Sequence, residues 1–238
     1  MASTKVKAIV IKTKDLKEKD KLITLWTLEQ GKITASLRGV RGANAKFKFA
    51  KEPFCFGEFV IENTKGMNVV TQVEIVDSFF GLTQDIDKFY EACAIIDAIN
   101  ILENEQADAQ VFIETLKALK ALCYEKIKKY YVFNTFMLKL FKNMGYFFVS
   151  ENCSACRNSL MARRFFNLDI GEFVCFSCKN YSSVEVSDAF FSAIKILNNH
   201  NYDDLSKLNL GGNAEKELYR LIDKNFEWRF GKRFCQIL

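Results

Sequence analysis

The hydrophobic rhythm of the chain changes once, near residue 81. Before that point apolar and polar positions alternate in short runs. Five of them read as strands: TKVKAIVIK (4–12), LITLWT (22–27), KITASLR (32–38), FGEFVIEN (56–63) and NVVTQVEIVD (68–77). In the third, Ile33, Ala35 and Leu37 alternate with Lys32, Thr34, Ser36 and Arg38, the period-two pattern of a half-buried strand. Turns are marked by Glu29-Gln30-Gly31 and by Lys65-Gly66. Five short strands with little helix between them predict a small barrel. An OB-fold is the commonest such barrel with a basic face.

From residue 83 the apolar period becomes helical. Phe89, Ala92, Cys93, Ile96 and Ile99 form one face, and Phe112, Thr115, Leu116, Leu119 and Leu122 a second. Tyr130, Tyr131, Asn134, Met137, Leu138 and Phe141 form a third, ending at Gly145, a C-cap residue. Ser187 is suited to N-cap a helix bearing Phe190, Phe191, Ile194 and Leu197. Asn213 is placed to cap a fifth, with Leu218, Leu221, Ile222 and Phe226 facing inward. The expected organisation is therefore α+β, with a barrel domain over 1–81 and a helical domain over 82–238. A cysteine-bearing insert interrupts the second at about 150–181.

That insert carries the clearest chemical signal. Cys153 and Cys156 form one Cys-x-x-Cys pair, and Cys175 and Cys178 another, with eighteen residues between. Each pair presents two sulfurs from one tight turn, and two pairs complete the tetrahedron of a structural zinc ion. The residues between read as a hairpin turning at Asp169-Ile170-Gly171, which returns the second pair to the first. A thioredoxin-type redox centre is disfavoured because no βαβ unit precedes the pair. The other cysteines, Cys55, Cys93, Cys123 and Cys235, lie in apolar segments and are expected to be buried small residues.

Composition narrows the picture further. No signal-peptide pattern and no long apolar span is visible, so an intracellular, cytoplasmic protein is expected. Reduced thiols in that compartment favour metal binding over disulfides. The single histidine, His200, stands in a polar helix-to-loop stretch without a nucleophile beside it, and no phosphate-cradling glycine loop occurs. Asp85/Asp87 and Asp203-Asp204 sit at expected helix starts, where acids complement the helix dipole. A binding protein is expected, not an enzyme; a nuclease is the reading that DNA breakdown in Mg²⁺ would reveal.

Charge suggests what is bound. The net charge is only +5, but residues 1–50 hold twelve Lys/Arg against four Asp/Glu. Lys5, Lys7, Lys12 and Lys14 follow the first strand, while Arg38, Arg41, Lys46 and Lys48 surround the third strand and its loop. On a small barrel these converge into a phosphate-binding face, with Lys12, Lys14, Arg38, Arg41, Lys46 and Lys48 as the candidate contacts. Phe47 and Phe49 interleave with this loop's lysines. Burial is the expectation for both rings, and exposure for base stacking the alternative.

The opening KAIVIKTKDLKEKDKLITLWTLEQGKITASLRGVRG, the strand PFCFGEFVIE, the Phe-rich helices and the four-cysteine insert together resemble the bacterial RecO family of recombination mediators. The likeness spans essentially the whole chain. It implies a non-enzymatic DNA repair protein that binds and anneals single- and double-stranded DNA. Its implied partners are RecR and the C-terminal tail of single-stranded-DNA-binding protein, with RecA loading as the outcome and the cytoplasmic nucleoid as the location. One departure is Gly42-Ala43-Asn44-Ala45, where family members often carry consecutive basic residues. An acidic, apolar-ended tail needs an apolar groove rimmed by cations. Lys126, Lys128, Lys129, Tyr130 and Lys139, with Tyr131 and Phe141, are the candidate lining. A zinc-bearing OB-fold factor that binds RNA or the ribosome is the alternative reading.

Overall fold

A computed structural model describes residues 3–16, 18–40, 47, 49–64, 66–101, 107–145, 150–160, 163–211 and 213–235. The chain divides into two units: Met1–Asp85 with Leu102–Cys123, and Ile86–Ile101 with Tyr124–Leu238.

In the first unit, β1 (Ser3–Asp15), β2 (Lys21–Thr27), β3 (Gly31–Leu37), β4 (Phe56–Thr64) and β5 (Met67–Asp77) close into a barrel of order β1-β2-β3-β5-β4. All pairings are antiparallel except β3 with β5, which meet in parallel at Ser36 and Val69. This is OB-fold connectivity. Val6, Ala8, Val10, Ile23, Leu25, Ala35, Leu37, Phe59, Ile61 and Val70 fill the interior. Between Val10 and Lys12 the register slips, so that Val10 stands opposite Leu25 but Lys12 opposite Thr24. Ile11 is the extra residue of a β-bulge, and the bulge reverses the alternation. Thr13 then pairs with the core residue Ile23, and Lys12 and Lys14 turn to solvent. Ser36, placed on a polar face by the alternation, is buried at the barrel seam instead.

Close approach explains Gly57 in β4. A Cβ there would lie 2.5 Å from the Glu74 carbonyl oxygen across the β4–β5 ladder. Helix α2 (Ala109–Tyr124) belongs to this unit for most of its length, and its Phe112 meets Phe56 of β4 edge-on at 6.2 Å.

The second unit contains α1 (Ile86–Ile101), α3 (Tyr131–Asn143), α4 (Asp188–Asn199) and α5 (Ala214–Phe230), with β6 (Arg164–Asn167), β7 (Glu172–Cys175) and β8 (Ser183–Val186). Helix α3 is its centre and packs on α1, α4 and α5. Between Tyr130 and Phe141 its only charge is Lys139, and a helix apolar all round is a buried one. Val132, Phe133, Phe136, Met137 and Leu138 are all at most 1% exposed. Asn134, also buried, donates to the Glu215 carbonyl at 2.8 Å. Phe133, Phe226 and Phe234 complete an aromatic core, with ring centroids 5.2 and 4.2 Å from Phe234.

Several local expectations are corrected. The insert hairpin gains a third strand, giving the order β7-β6-β8, because the short SVEV run pairs with β6. Of the four isolated cysteines only Cys55 is fully buried; Cys93, Cys123 and Cys235 remain partly exposed. Ser187 caps α4 by accepting from Phe190 N–H at 3.0 Å, whereas Asn213 makes no side-chain cap to α5. His200 ends α4, with its Nδ1 2.7 Å from the Ile196 carbonyl oxygen. Among the described residues no helix is long and apolar enough to cross a membrane.

Candidate nucleic-acid interface and metal centre

The barrel ladder decides which cations share an end. Lys14 stands opposite Leu22, which stands opposite Ser36; one row further, Asp15, Lys21 and Leu37 align. Arg38 therefore leaves β3 at the end where Lys14 leaves β1. Two connections are tied together there. Gly39 N–H donates to the Asp20 carboxylate at 3.0 Å, and Val40 N–H to the Lys19 carbonyl at 3.0 Å. Lys12, Lys14, Lys19 and Arg38 are exposed, and no carboxylate of a described residue lies in ion-pair reach of them. Asp15 by contrast pairs with Lys21 at 3.4 Å. Lys5, at the start of β1, is held by Glu58, whose carboxylate keeps the ammonium above its ordinary value. Cations lacking local partners are free to take phosphates as theirs. Arg41, Lys46 and Lys48 lie outside the described residues.

The loop phenylalanines part company. Phe47 packs partly buried against the barrel core. Phe49 is 54% exposed, against expectation. It opens a single 3₁₀ turn, Phe49–Lys51, in which Ala50 is the inward residue.

Four sulfurs converge in the insert. The Sγ atoms of Cys153, Cys156, Cys175 and Cys178 all lie within 4.8 Å of one another, with Cys156 and Cys175 at 3.7 Å. A tetrahedral ion with bonds of about 2.3 Å to sulfur sets neighbouring sulfurs about 3.8 Å apart, so the cluster fits a closed four-sulfur site. The first knuckle turns through Arg157, whose left-handed φ of 65° lets its N–H donate to the Cys153 carbonyl at 2.9 Å. Burial opposes ionisation of Cys153. The N–H groups of Cys156, Cys175 and Ala155 outweigh it and bring the thiol down to about 6. Cys178 is pushed the other way, chiefly by its hydrogen bonds to Cys156 and Cys175, so the charge of a bound metal is what would hold all four sulfurs as thiolates.

Polar and aromatic contacts brace this sheet. Asn167 Oδ1 accepts from Asp169 and Ile170 N–H at 2.9 and 3.3 Å, fixing the β6–β7 turn. Trp228 of α5 donates to Asp169 at 3.1 Å, and Phe173 meets Phe191 of α4 edge-on at 5.2 Å. Four convergent sulfurs beside a packed sheet fit a structural metal site, since four thiolates fill a tetrahedral shell.

The candidate partner segment is rearranged. Residues 126–130 precede α3 instead of continuing it. Lys129 pairs with Asp87 at 2.7 Å, Tyr130 stacks on Tyr219 at 4.9 Å, and Lys128 donates to Asn209 at 3.2 Å. Lys139 lies over the Tyr202 ring at 4.5 Å, while Lys126 is exposed. Tyr131 and Phe141 are core residues, so they line no surface groove. Sequence reasoning missed Glu91. This buried α1 carboxylate accepts from Phe133 N–H at 2.9 Å and Tyr130 N–H at 3.4 Å, capping α3 from a neighbouring helix. Its one signal is a charge inside the apolar run FYEACAII.

An OB-type barrel with a basic end, joined to a helical unit carrying a four-cysteine scaffold, defines a class of binding proteins. Comparison with known proteins narrows the class. The family model described as Recombination protein O N terminal matches residues 1–79, and Recombination protein O C terminal matches residues 83–235. DNA repair protein RecO of Clostridium novyi is 30% identical over 230 residues, covering 96% of this chain and 90% of the relative. DNA repair protein RecO of Thermoanaerobacter sp. is 29% identical over 227 residues, covering 93% and 90%. That of Clostridium perfringens strain 13 is 28% identical over 222 residues, again covering 93% and 90%. The chain belongs to the RecO family.

Proposed function

We propose that this protein is a DNA-binding recombination mediator acting in DNA repair, without catalytic turnover. Supporting it most directly is the group of exposed, unpaired cations Lys12, Lys14 and Arg38 at one end of the barrel, in a chain of the RecO family. These cations displace counterions from phosphates and hold strands close enough to pair. DNA contact rests in residues 1–81, to which Arg41, Lys46 and Lys48 contribute. Residues 82–238 recruit RecR and the tail of single-stranded-DNA-binding protein, so that RecA gains access to the strand. Lys126, Lys128, Lys129, Tyr130 and Lys139 are the proposed tail contacts, with Tyr130 now the aromatic member. The metal is one structural Zn²⁺, and the working location is the cytoplasmic nucleoid.

Binding to single-stranded DNA across a salt series tests the reading. Each lost phosphate contact lowers the slope of log K against log salt by about 0.7. The triple variant Lys12→Ala, Lys14→Ala, Arg38→Ala is therefore expected to flatten it by about 2. An unchanged slope removes this face from the interface. A wild-type protein that binds RNA but neither binds nor anneals DNA overturns the function itself.

A further inference from the structure

The barrel unit carries a cleft of about 360 Å³, lined by Phe49, Glu52, Pro53, Ser78, Phe80 and Thr83. Phe49 and Phe80 are 54% and 60% exposed, and among the described residues of this unit no other aromatic ring is exposed. Neither ring stacks on another aromatic of the described residues. Two apolar rings left in water on one cleft are unfavourable unless something covers them.

The backbone around the cleft is held in costly conformations. Phe54 and Phe79, each next to a lining residue, adopt left-handed φ angles of 71° and 46°, which side chains other than glycine rarely take. Both strained residues bury their own rings. At Phe79 the turn sends one ring inward and presents the next, Phe80, outward. It is pinned by Phe79 N–H donating to Asp77 at 2.9 Å. Phe54 N–H is likewise fixed on the Val10 carbonyl at 2.9 Å. The cleft is thus a preformed feature of the barrel.

Charge indicates the occupant. Residues 38–51, which lead into the cleft along the chain, hold five Lys/Arg and no Asp/Glu. A polyanion follows such a segment, and a single strand adds flat bases that stack on aromatic faces. The rim offers what a base edge needs. The Glu52 carboxylate, 4.0 Å from the Lys51 ammonium, and the Ser78 hydroxyl are hydrogen-bonding groups beside the rings, while the Thr83 hydroxyl is already engaged with the Phe80 carbonyl at 2.8 Å. An apolar peptide side chain would use the rings but leave the basic segment without a counter-charge. Duplex DNA keeps its bases stacked and cannot offer one.

We propose that the Phe49–Phe80 cleft seats an unpaired base of a bound single strand. The proposal rests on the DNA-binding reading above and deepens it. The barrel holds phosphates with its cations and distinguishes single strands from duplex with this cleft.

Anisotropy titrations with three probes test it: a thymidine homopolymer, an abasic strand of the same length, and a duplex. Wild-type protein is expected to prefer the thymidine strand over the abasic one by about tenfold, the size of one stacked base. The variant Phe49→Leu/Phe80→Leu keeps the apolar bulk and loses the π-faces. It should lose the preference while its duplex affinity and salt slope stay unchanged. Phe80→Trp should retain the preference and show fluorescence quenching by the thymidine strand. Equal wild-type affinity for thymidine and abasic strands overturns the cleft alone. So does a leucine variant that keeps the preference, as a cleft serving a peptide would produce. Absence of binding to all three probes overturns the DNA-binding reading with it.

Discussion

Replacing Glu91 by glutamine tests the interior of the helical unit with a single uncharged atom exchange. The Glu91 carboxyl is 3% exposed and is pushed up to about 7 from an ordinary 4.5, chiefly by burial. The Phe133 and Tyr130 N–H groups and Lys129 work against burial, and Asp87 works with it. A folded-state value above the unfolded one means that folding takes up a proton. The stabilisation is complete below pH 4.5 and is lost as the pH rises through 7. The shift corresponds to roughly 3 kcal/mol at 1.36 kcal/mol per unit. The contacts with the positive end of α3 are already contained in that shift, so the change across the titration is up to about 3 kcal/mol. Glu91→Gln has no charge to lose and keeps an acceptor for Phe133 N–H. The two proteins should have stabilities within about 1 kcal/mol at pH 5, the worth of the one long hydrogen bond lost. By pH 8 the variant should gain up to about 3 kcal/mol on the wild type. Urea unfolding followed by circular dichroism at pH 5, 6, 7 and 8 measures the difference, in which other titrating groups cancel. A difference constant across that range would refute a buried, proton-binding Glu91.

Two further outcomes follow from the structure. Zinc analysis of the purified protein is expected to show about one ion per chain, because four thiolates close one tetrahedral site. Cys153→Ser should abolish it and expose the insert to protease, and a metal-free variant with unchanged melting and protease resistance would contradict the scaffold role. Gly57→Ala should cost about 3 kcal/mol, the upper end for overpacking, since its Cβ meets the Glu74 carbonyl oxygen of the paired strand at 2.5 Å. A thermal shift too small to measure would mean that β4 and β5 separate there freely.

What the sequence determined on its own was whatever depends on short-range periodicity and spacing. Alternation at Ile33, Ala35 and Leu37 specifies a strand in any surroundings, and the five barrel strands lie where the pattern placed them. Two Cys-x-x-Cys pairs specify one four-sulfur site because each pair is a local turn and the hairpin between them is local too. Only the tertiary structure decided matters that depend on what a residue meets across space. The bulge at Ile11 turns Lys12 and Lys14 outward, yet it exists only in the pairing of β1 with β2. Tyr131 and Phe141 share the composition of a groove but lie in the core, because α3 is enclosed by three helices. Phe79 and Phe80 are adjacent and chemically identical. One is buried and the other exposed, and the difference is a single left-handed turn held by Asp77. Local pattern encodes which elements form, because backbone geometry repeats over a few residues. Which side chains are left for a ligand is settled by packing between segments distant in sequence, where no local pattern reaches.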